Sequence, residues 1–237
     1  MGLFSYLRST ILSKVVMAIT GAILVLYVIV HTAGNLLIYF GRDTLNAYSA
    51  FLHSLGPILW IIRVILIVSA LLHIITSIKL KFENWGAKPT KYAVKNYLKA
   101  KFTSRTMIWT GIMILAFVVY HLLHFTIRVT NPQHYYPEFY QQHNAVSSVI
   151  LERFDVYRMV VMGFQNPLIS FVYIVGVIIV GFHLDHAIQS MFQTLGYNQK
   201  HYFSTLQKCS TSLAIIIVLC LISIPISVLL GLVGGGI

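Results

Sequence analysis

The chain has 237 residues, of which 57% are hydrophobic and only 10% are charged. Soluble domains carry about 25% charged residues, so this composition excludes an ordinary water-soluble protein and predicts a membrane protein. The net charge of +11 does not indicate a nucleic-acid-binding protein, because the basic residues lie between apolar segments and form no basic face of a folded domain.

Five apolar segments are each long enough to cross a hydrocarbon core of about 30 Å as a helix. We therefore predict one all-α transmembrane domain over residues 1–237, with five spans at residues 15–40, 57–81, 104–128, 159–192 and 209–233. A short amphipathic lead, Leu3 to Leu12, is expected before span 1. A second amphipathic segment, Asn46 to Leu55, is expected to lie along the outer surface. Gln165-Asn166-Pro167 interrupts span 4, and the loop from Thr130 to Arg158 before it carries no motif.

Basic residues mark one side of the predicted bundle. The positive-inside rule makes that side cytoplasmic, which places the N-terminus in the cytoplasm and the C-terminus outside. Twelve of the seventeen Lys and Arg residues lie on it: Arg8, Lys14, Lys79, Lys81, Lys88, Lys91, Lys95, Lys99, Lys101, Arg105, Lys200 and Lys208.

Ten histidines are a high number for a membrane chain, because polar groups within a span are costly and are usually functional. Loops or interfaces contain four of them, which we interpret as solvated side chains: His53, His134, His143 and His201. Spans 1 to 4 contain the other six: His31, His73, His121, His124, His183 and His186.

The depth of these histidines follows from the helical rise of about 1.5 Å per residue. His31 and His121 lie about 24–26 Å along helices that enter from the cytoplasm, and His73 and His183 lie equally far along helices that enter from outside. We therefore predict an outer pair, His31 with His121, and an inner pair, His73 with His183. Such pairs suit two bis-histidine b haems, since each haem needs one imidazole on each face and no cysteine.

His124 and His186 each follow a preferred ligand by three residues and share its helix face. One histidine of each couple is predicted to bind haem iron and the other to support it, and His121 and His183 are preferred because they complete the depth pattern. Small residues that would admit a flat macrocycle lie near the histidines: Gly34, Ser69, Ala70, Gly176 and Gly181.

Charged residues near the span ends are candidates for secondary roles. Arg63 is predicted to neutralise propionates of the outer haem, with a snorkelling membrane anchor as the alternative. Arg105 and Lys79 are candidates for the propionates of the inner haem. Asp185 is expected near the inner water boundary, where a carboxylate can carry protons.

Several blocks of sequence together resemble the cytochrome b membrane subunit of succinate dehydrogenase and fumarate reductase, in its single-chain, five-helix, dihaem form. The blocks extend over essentially the whole chain: His31-Thr-Ala-Gly-Asn35, Asn46-Ala-Tyr48, Leu59-Trp60-Ile-Ile-Arg63, Tyr120-His121-Leu-Leu-His124-Phe125, His183-Leu-Asp185-His186 and Ser190-Met-Phe-Gln-Thr-Leu-Gly196.

This resemblance implies an anchor subunit in the bacterial cytoplasmic membrane, in contact with lipid and without a succinate site of its own. Its partners would be a flavoprotein subunit that oxidises succinate and an iron–sulfur subunit on the cytoplasmic face. Electrons would pass through the inner haem and the outer haem to a quinone, with menaquinone expected. The family pairs span 1 with span 3 and span 2 with span 4, as the depth estimate does. Whether the complex forms a higher oligomer stays open.

Three other classes of membrane protein are alternatives to this interpretation. A histidine-rich transporter of protons or divalent metal would gather the histidines of spans 3 and 4 into one site. A haem subunit of another quinone-linked enzyme, such as a hydrogenase or formate dehydrogenase, would differ only in its partners. A membrane di-iron hydroxylase or desaturase would need about eight histidines clustered near one face, which this sequence does not offer.

Overall fold

The computed structural model describes residues 9–87, 105–134, 139–143, 150–197 and 200–235. Most of the predicted amphipathic lead, Leu3 to Leu12, and the basic residues from Lys88 to Lys101 lie outside these ranges. Within them the chain forms seven α-helices: α1 Thr10–Asn35, α2 Arg42–Ser54, α3 Pro57–Gly86, α4 Met107–His121, α5 Val156–Gln165, α6 Pro167–Thr194 and α7 Lys200–Leu229.

Among the described residues, five helical stretches are long and apolar enough to cross a membrane, as the sequence predicted. Large apolar side chains on them are exposed, including Trp60 at 63%, Ile75 at 60% and Leu219 at 63%, as expected for helices that face lipid. A 3₁₀ turn extends α1 and a π-helical turn extends α4. The stretches are Thr10–Phe40, Pro57–Gly86, Met107–Thr126, Pro167–Thr194 and Tyr202–Leu229.

The fourth span begins at Pro167, whereas the sequence placed its start at residue 159. Asn166 has extended backbone angles, with φ −79° and ψ 116°. Its side-chain oxygen accepts hydrogen bonds from the N–H groups of Leu168 at 3.0 Å and Ile169 at 3.3 Å. An Asn cap followed by proline at the first helical position starts a new helix, so the residues before it form the separate helix α5. The fifth span also differs, because α7 begins at Lys200 and not at residue 209.

A β-hairpin lies in the loop for which the sequence offered no motif. Strands β1 Phe139–His143 and β2 Ile150–Phe154 pair antiparallel, with Phe139 opposite Phe154 and His143 opposite Ile150. The all-α prediction therefore needs this correction. The hairpin was missed because residues 144–149 contain neither glycine nor proline, which are the usual signals of a tight turn.

Helix α2 contains the predicted amphipathic segment and packs against α5 through a buried polar network. The carboxylate of Asp155 accepts hydrogen bonds from the Arg42 guanidinium and from the Asn46 amide at 2.9 Å. The Asn46 side-chain oxygen accepts one from the backbone N–H of Tyr157 at 3.0 Å. Because buried polar groups require such partners, this network fixes α2 on α5.

The chain divides into two compact units, and each spanning helix contributes residues to both. The first unit comprises Met1–Val28, Ile62–Ile112 and Val180–Ile215, and the second comprises Ile29–Ile61, Met113–Ile179 and Ile216–Ile237. The core of the second unit consists of buried apolar side chains of α2, α5, α6, α7, the turn after α1 and the segment after α7: Ile38, Leu45, Val161, Phe164, Ile169, Tyr173, Ile224, Val228 and Val233.

Candidate functional site

The four histidines predicted as haem ligands lie in two pairs, one in each unit. In the first unit, the ring centres of His73 on α3 and His183 on α6 are 6.5 Å apart, with 66° between the ring planes. In the second unit, the ring centres of His31 on α1 and His121 on α4 are 5.8 Å apart, with 88° between the planes. Each pair therefore joins two different spanning helices.

The spacing within each pair is close to that of two imidazoles bound to one metal ion. A metal–imidazole bond is about 2.0–2.1 Å long, and a ring nitrogen lies about 1.2 Å from the centre of its ring. Two imidazole rings on opposite sides of one metal ion therefore have their ring centres about 6.4 Å apart. The separations of 6.5 Å and 5.8 Å lie on either side of that value. Each pair therefore has about the ring separation that bis-imidazole ligation of one metal ion requires.

Hydrogen bonds fix the tautomer of His73. Its Nδ1 lies 3.2 Å from the backbone carbonyl oxygen of Met17 on α1, and 3.5 Å from the hydroxyl of Thr20. A carbonyl oxygen can only accept, so the proton is on Nδ1 and Nε2 carries the lone pair. Histidines that bind metals are usually held in this way, with the other ring nitrogen donating to a carbonyl or carboxylate.

Thr110 favours the same tautomer in His183. The hydroxyl of Thr110 on α4 donates its single proton to the carbonyl of Met107 at 3.0 Å. The same hydroxyl oxygen lies 3.1 Å from Nδ1 of His183 and can accept its proton. Both histidines of the inner pair therefore present an unprotonated Nε2, which is the form that binds iron.

The outer pair is held differently. The His121 ring packs against aromatic rings of Phe117, Phe125 and Tyr173, with centres 6.2, 5.9 and 5.9 Å away. Within the described part of the chain, neither nitrogen of His121 has a hydrogen-bond partner. Packing, and not a polar contact, therefore orients this ring.

His124 lies in a separate buried cluster and not between the two paired rings. Its Nδ1 is 2.9 Å from the hydroxyl of Tyr173, and its Nε2 is 3.3 Å from Nδ1 of His134. The Tyr120 ring stacks on it at 5.5 Å. The interpretation of His134 as a solvated loop side chain is wrong, since it is only 9% exposed. Burial also lowers the pKa of His134, so its imidazole is neutral at pH 7.

The backbone after α4 explains how a loop histidine reaches a buried one. The π-helical turn Leu122–Thr126 carries His124, and its last turn is closed by a 2.7 Å bond from the N–H of Ile127 to the carbonyl of Leu122. Arg128 and Asn131 then adopt left-handed conformations, with φ of 64° and 52°. Such residues reverse the chain, which brings the 3₁₀ turn Pro132–His134 back against α4.

The remaining candidates lie outside the two pairs. His186 is half-buried on α6, and Arg63 is half-buried in the second turn of α3. The Asp185 carboxylate accepts hydrogen bonds from Gln189 at 2.9 Å and Thr211 at 2.6 Å, and so ties α6 to α7. Lys79 donates to Ser13 at 2.8 Å and forms an ion pair with Glu83 at 3.7 Å. Arg105 is exposed immediately before α4.

Two of the predicted small residues, Gly34 and Gly176, lie against aromatic rings. A Cβ added at Gly34 would lie 2.7 Å from the Tyr48 ring, and one at Gly176 would lie 2.5 Å from the Phe117 ring. These two glycines therefore accommodate aromatic side chains of the protein itself. Gly21 on α1 faces the inner pair instead, because a Cβ there would lie 3.3 Å from the His73 ring.

Sequence reasoning missed the residues whose backbone or side-chain oxygen atoms contact the histidines. Thr110, Tyr173 and Met17 are ordinary residues of apolar helices, and no spacing rule indicates that they contact a histidine. Among the described residues, no three His, Cys, Asp or Glu side chains converge as a metal site. The histidines converge in twos, which is the number that a b haem uses.

Comparisons with protein families, with curated proteins and with solved structures find no match for this chain.

Proposed function

We propose that this chain is the cytochrome b membrane anchor of a succinate dehydrogenase or fumarate reductase in a bacterial cytoplasmic membrane. It would carry two b haems, bound by His31 with His121 and by His73 with His183. The observation that carries the proposal is the pairing of these histidines across different helices, with ring centres 5.8 and 6.5 Å apart, so that each pair could hold one haem iron. The sequence blocks that resemble this family supply the identity of the complex.

The inner pair offers the most detailed support for a haem. Both rings have their Nδ1 protons committed to oxygen acceptors, Met17 for His73 and Thr110 for His183. Two unprotonated Nε2 atoms therefore remain for ligation. Gly21 leaves room beside the His73 ring that a side chain would fill. These features fit a b-type haem, which is held only by its axial ligands and by packing.

When bound, the two haems would supply one-electron carriers between a cytoplasmic iron–sulfur subunit and a membrane quinone. The role of the chain is then to bind the haems and to orient the histidine rings that hold them. Met17 and Thr110 hold the inner rings and make them more basic. Phe117, Phe125 and Tyr173 hold the His121 ring by packing and keep water from it. Exposed apolar side chains on the spans anchor the bundle in lipid.

Purification of the whole complex through a tag on this chain tests the assignment of function. We expect a flavoprotein subunit and an iron–sulfur subunit to co-purify, and the complex to reduce a naphthoquinone with succinate. Partners belonging to a hydrogenase or a formate dehydrogenase would overturn the succinate assignment while leaving the haem sites in place. A chain that purifies with neither haem nor partner would overturn both.

The Thr110→Val variant isolates the contribution of one hydrogen bond. Valine has the shape of threonine but cannot accept the Nδ1 proton of His183, so this ligand becomes less basic and stabilises oxidised iron less. We expect both haems to be retained and the midpoint potential of the inner haem to rise on the order of tens of millivolts. Redox titration of the haem absorbance bands measures the change.

Thr194→Val is the matched control for that titration. The Thr194 hydroxyl bonds the carbonyl of Ser190 within its own helix at 2.9 Å and lies outside the histidine contacts. Its removal should leave both potentials unchanged. Equal shifts in the two variants, or none in Thr110→Val, would show that Thr110 does not tune a ligand.

A further inference from the structure

Arg128 lies just beyond the third span, at the end of the span that is nearer to the outer pair. The span ends at Thr126, which is five residues beyond His121, and the chain then leaves the helix. Arg128 has a left-handed backbone conformation, with φ of 64°, which is unfavourable for any residue that carries a Cβ. Backbone strain of this kind is typical of functional positions, so the side chain of Arg128 is the feature to explain.

The guanidinium of Arg128 lies on an aromatic ring. Its Cζ atom is 3.6 Å from the centre of the Phe154 ring at the end of β2, and the arginine is half-buried. A guanidinium is always charged and has five N–H donors and no acceptor. Contact with the face of a ring does not use these donors. The Phe154 ring therefore holds the cation in place and leaves its N–H groups to bind an acceptor.

The hydroxyl of Thr130 is a second donor, two residues further along the chain. Its oxygen is buried and, within the described part of the chain, has no hydrogen-bond partner. Buried hydroxyl groups normally have such a partner, because burial without one is costly. Arg128 and Thr130 together therefore suit an acceptor that binds a cation and a hydroxyl, as a carboxylate does.

The carboxylate of Asp155 is not that acceptor. One of its oxygens accepts hydrogen bonds from Nε and Nη2 of Arg42, and the other accepts from the Asn46 amide and the backbone N–H of Arg158. A carboxylate has about four acceptor sites, and all four are used. The carboxylate that would bind Arg128 therefore comes from another group.

We propose that Arg128 and Thr130 bind a propionate of the outer haem. The inference rests on the proposed function, which supplies this haem between the rings of His31 and His121. Both propionates leave a haem from one edge, and their negative charges are unfavourable in lipid. That edge is therefore expected to face the nearer end of the third span, where Arg128 and Thr130 lie. The contact adds charge-assisted hydrogen bonds to the axial ligation and packing of the haem.

A haem with esterified propionates tests this contact by binding alone. Protohaem dimethyl ester keeps the iron and the ring but has no carboxylates. The full chain in lipid nanodiscs, with His73→Ala to leave only the outer pair, is titrated with protohaem or with the ester and followed by absorbance. We expect protohaem to bind about tenfold more tightly or better, because hydrogen bonds between charged groups are strong. Arg128→Gln should lose most of that preference.

Two further variants complete this titration. Lys208→Gln removes the same charge at an exposed position of α7 and should keep the full preference for protohaem. Thr130→Val keeps the shape of threonine and should lower the preference about threefold, since one neutral donor is lost. Without haem, Thr130→Val should melt no lower than the parent chain, because the hydroxyl has no partner to lose among the described residues.

The redox potential of the outer haem gives an independent readout. A positive charge close to a haem favours the reduced form, which carries one positive charge fewer. Arg128→Gln should therefore lower the midpoint potential, whereas Arg128→Lys keeps the charge and should restore it. Redox titration of the haem absorbance bands measures both variants.

The outcomes separate this inference from the proposed function. Equal affinity of the parent chain for protohaem and the ester, or an undiminished preference in Arg128→Gln, would overturn the propionate contact while leaving the haem site in place. An Arg128→Gln chain that binds neither compound leaves the decision to Thr130→Val, where an unchanged preference would also overturn the contact. A parent chain that binds neither compound would overturn the proposed function itself.

Discussion

Replacement of His73 by alanine is expected to lower the haem content from two b haems per chain to one. The remaining partner, His183, cannot ligate both faces of a haem, and its Nδ1 is already committed to Thr110. In the proposed complex, succinate oxidation with artificial acceptors should persist, because the flavoprotein subunit would carry out the chemistry on succinate. Quinone reduction should be lost, because the inner electron carrier is missing. Pyridine haemochrome assays and the two activities measure these outcomes.

His186→Ala is the matched control for this variant. His186 lies on the same helix three residues further along, and it is not the histidine that faces His73. Two haems should remain in this control. The surviving outer haem in His73→Ala also reports that the bundle still folds. Two haems in His73→Ala, or normal quinone reduction, would contradict the ligand assignment.

Replacement of His121 by alanine is expected to remove the outer haem, whereas His124→Ala should retain both. The two histidines share a helix face in sequence terms, but the ring of His121 faces His31 at 5.8 Å and His124 faces Tyr173 and His134. The two variants should therefore differ by one haem per chain if His121 is the ligand and His124 is not. Haem per chain and the difference spectrum of the surviving haem provide the readout.

The opposite result has an equally clear meaning. Loss of one haem in His124→Ala and retention of two in His121→Ala would make His124 the ligand. The outer site would then require a rearrangement of the π-helical turn Leu122–Thr126. Loss in both variants would show that the outer site does not tolerate any change on this face of α4.

Features that depend on a fixed helical repeat were accessible from the sequence. Five apolar runs predicted five spanning helices, because a helix is the form in which an isolated segment satisfies its backbone in lipid. Counting residues from the span ends predicted which histidines share a depth, because the rise per residue is constant. That count led to the same two couples whose rings the structure brings within 5.8 and 6.5 Å. Their ligation of haem stays a prediction.

Features that depend on how helices turn toward one another were not accessible. The contact of Thr110 with His183 requires the rotation of α4 relative to α6, which residue spacing does not give. Gly34 and Gly176 were read as room for a cofactor, but the bulk of Tyr48 and Phe117 fills those places. The sequence predicts a solvated His134, because its burial depends on a chain reversal after α4. That reversal uses a left-handed conformation at Arg128, which an arginine does not signal.

A dithionite-reduced minus oxidised absorbance spectrum of the purified, detergent-solubilised chain, with a pyridine haemochrome assay for stoichiometry, tests the central claim most directly. The account predicts the bands of b-type haem and two haems per chain. One haem would contradict the two-pair assignment. No haem, together with colourless binding of a divalent metal, would contradict the account as a whole and favour the transporter interpretation.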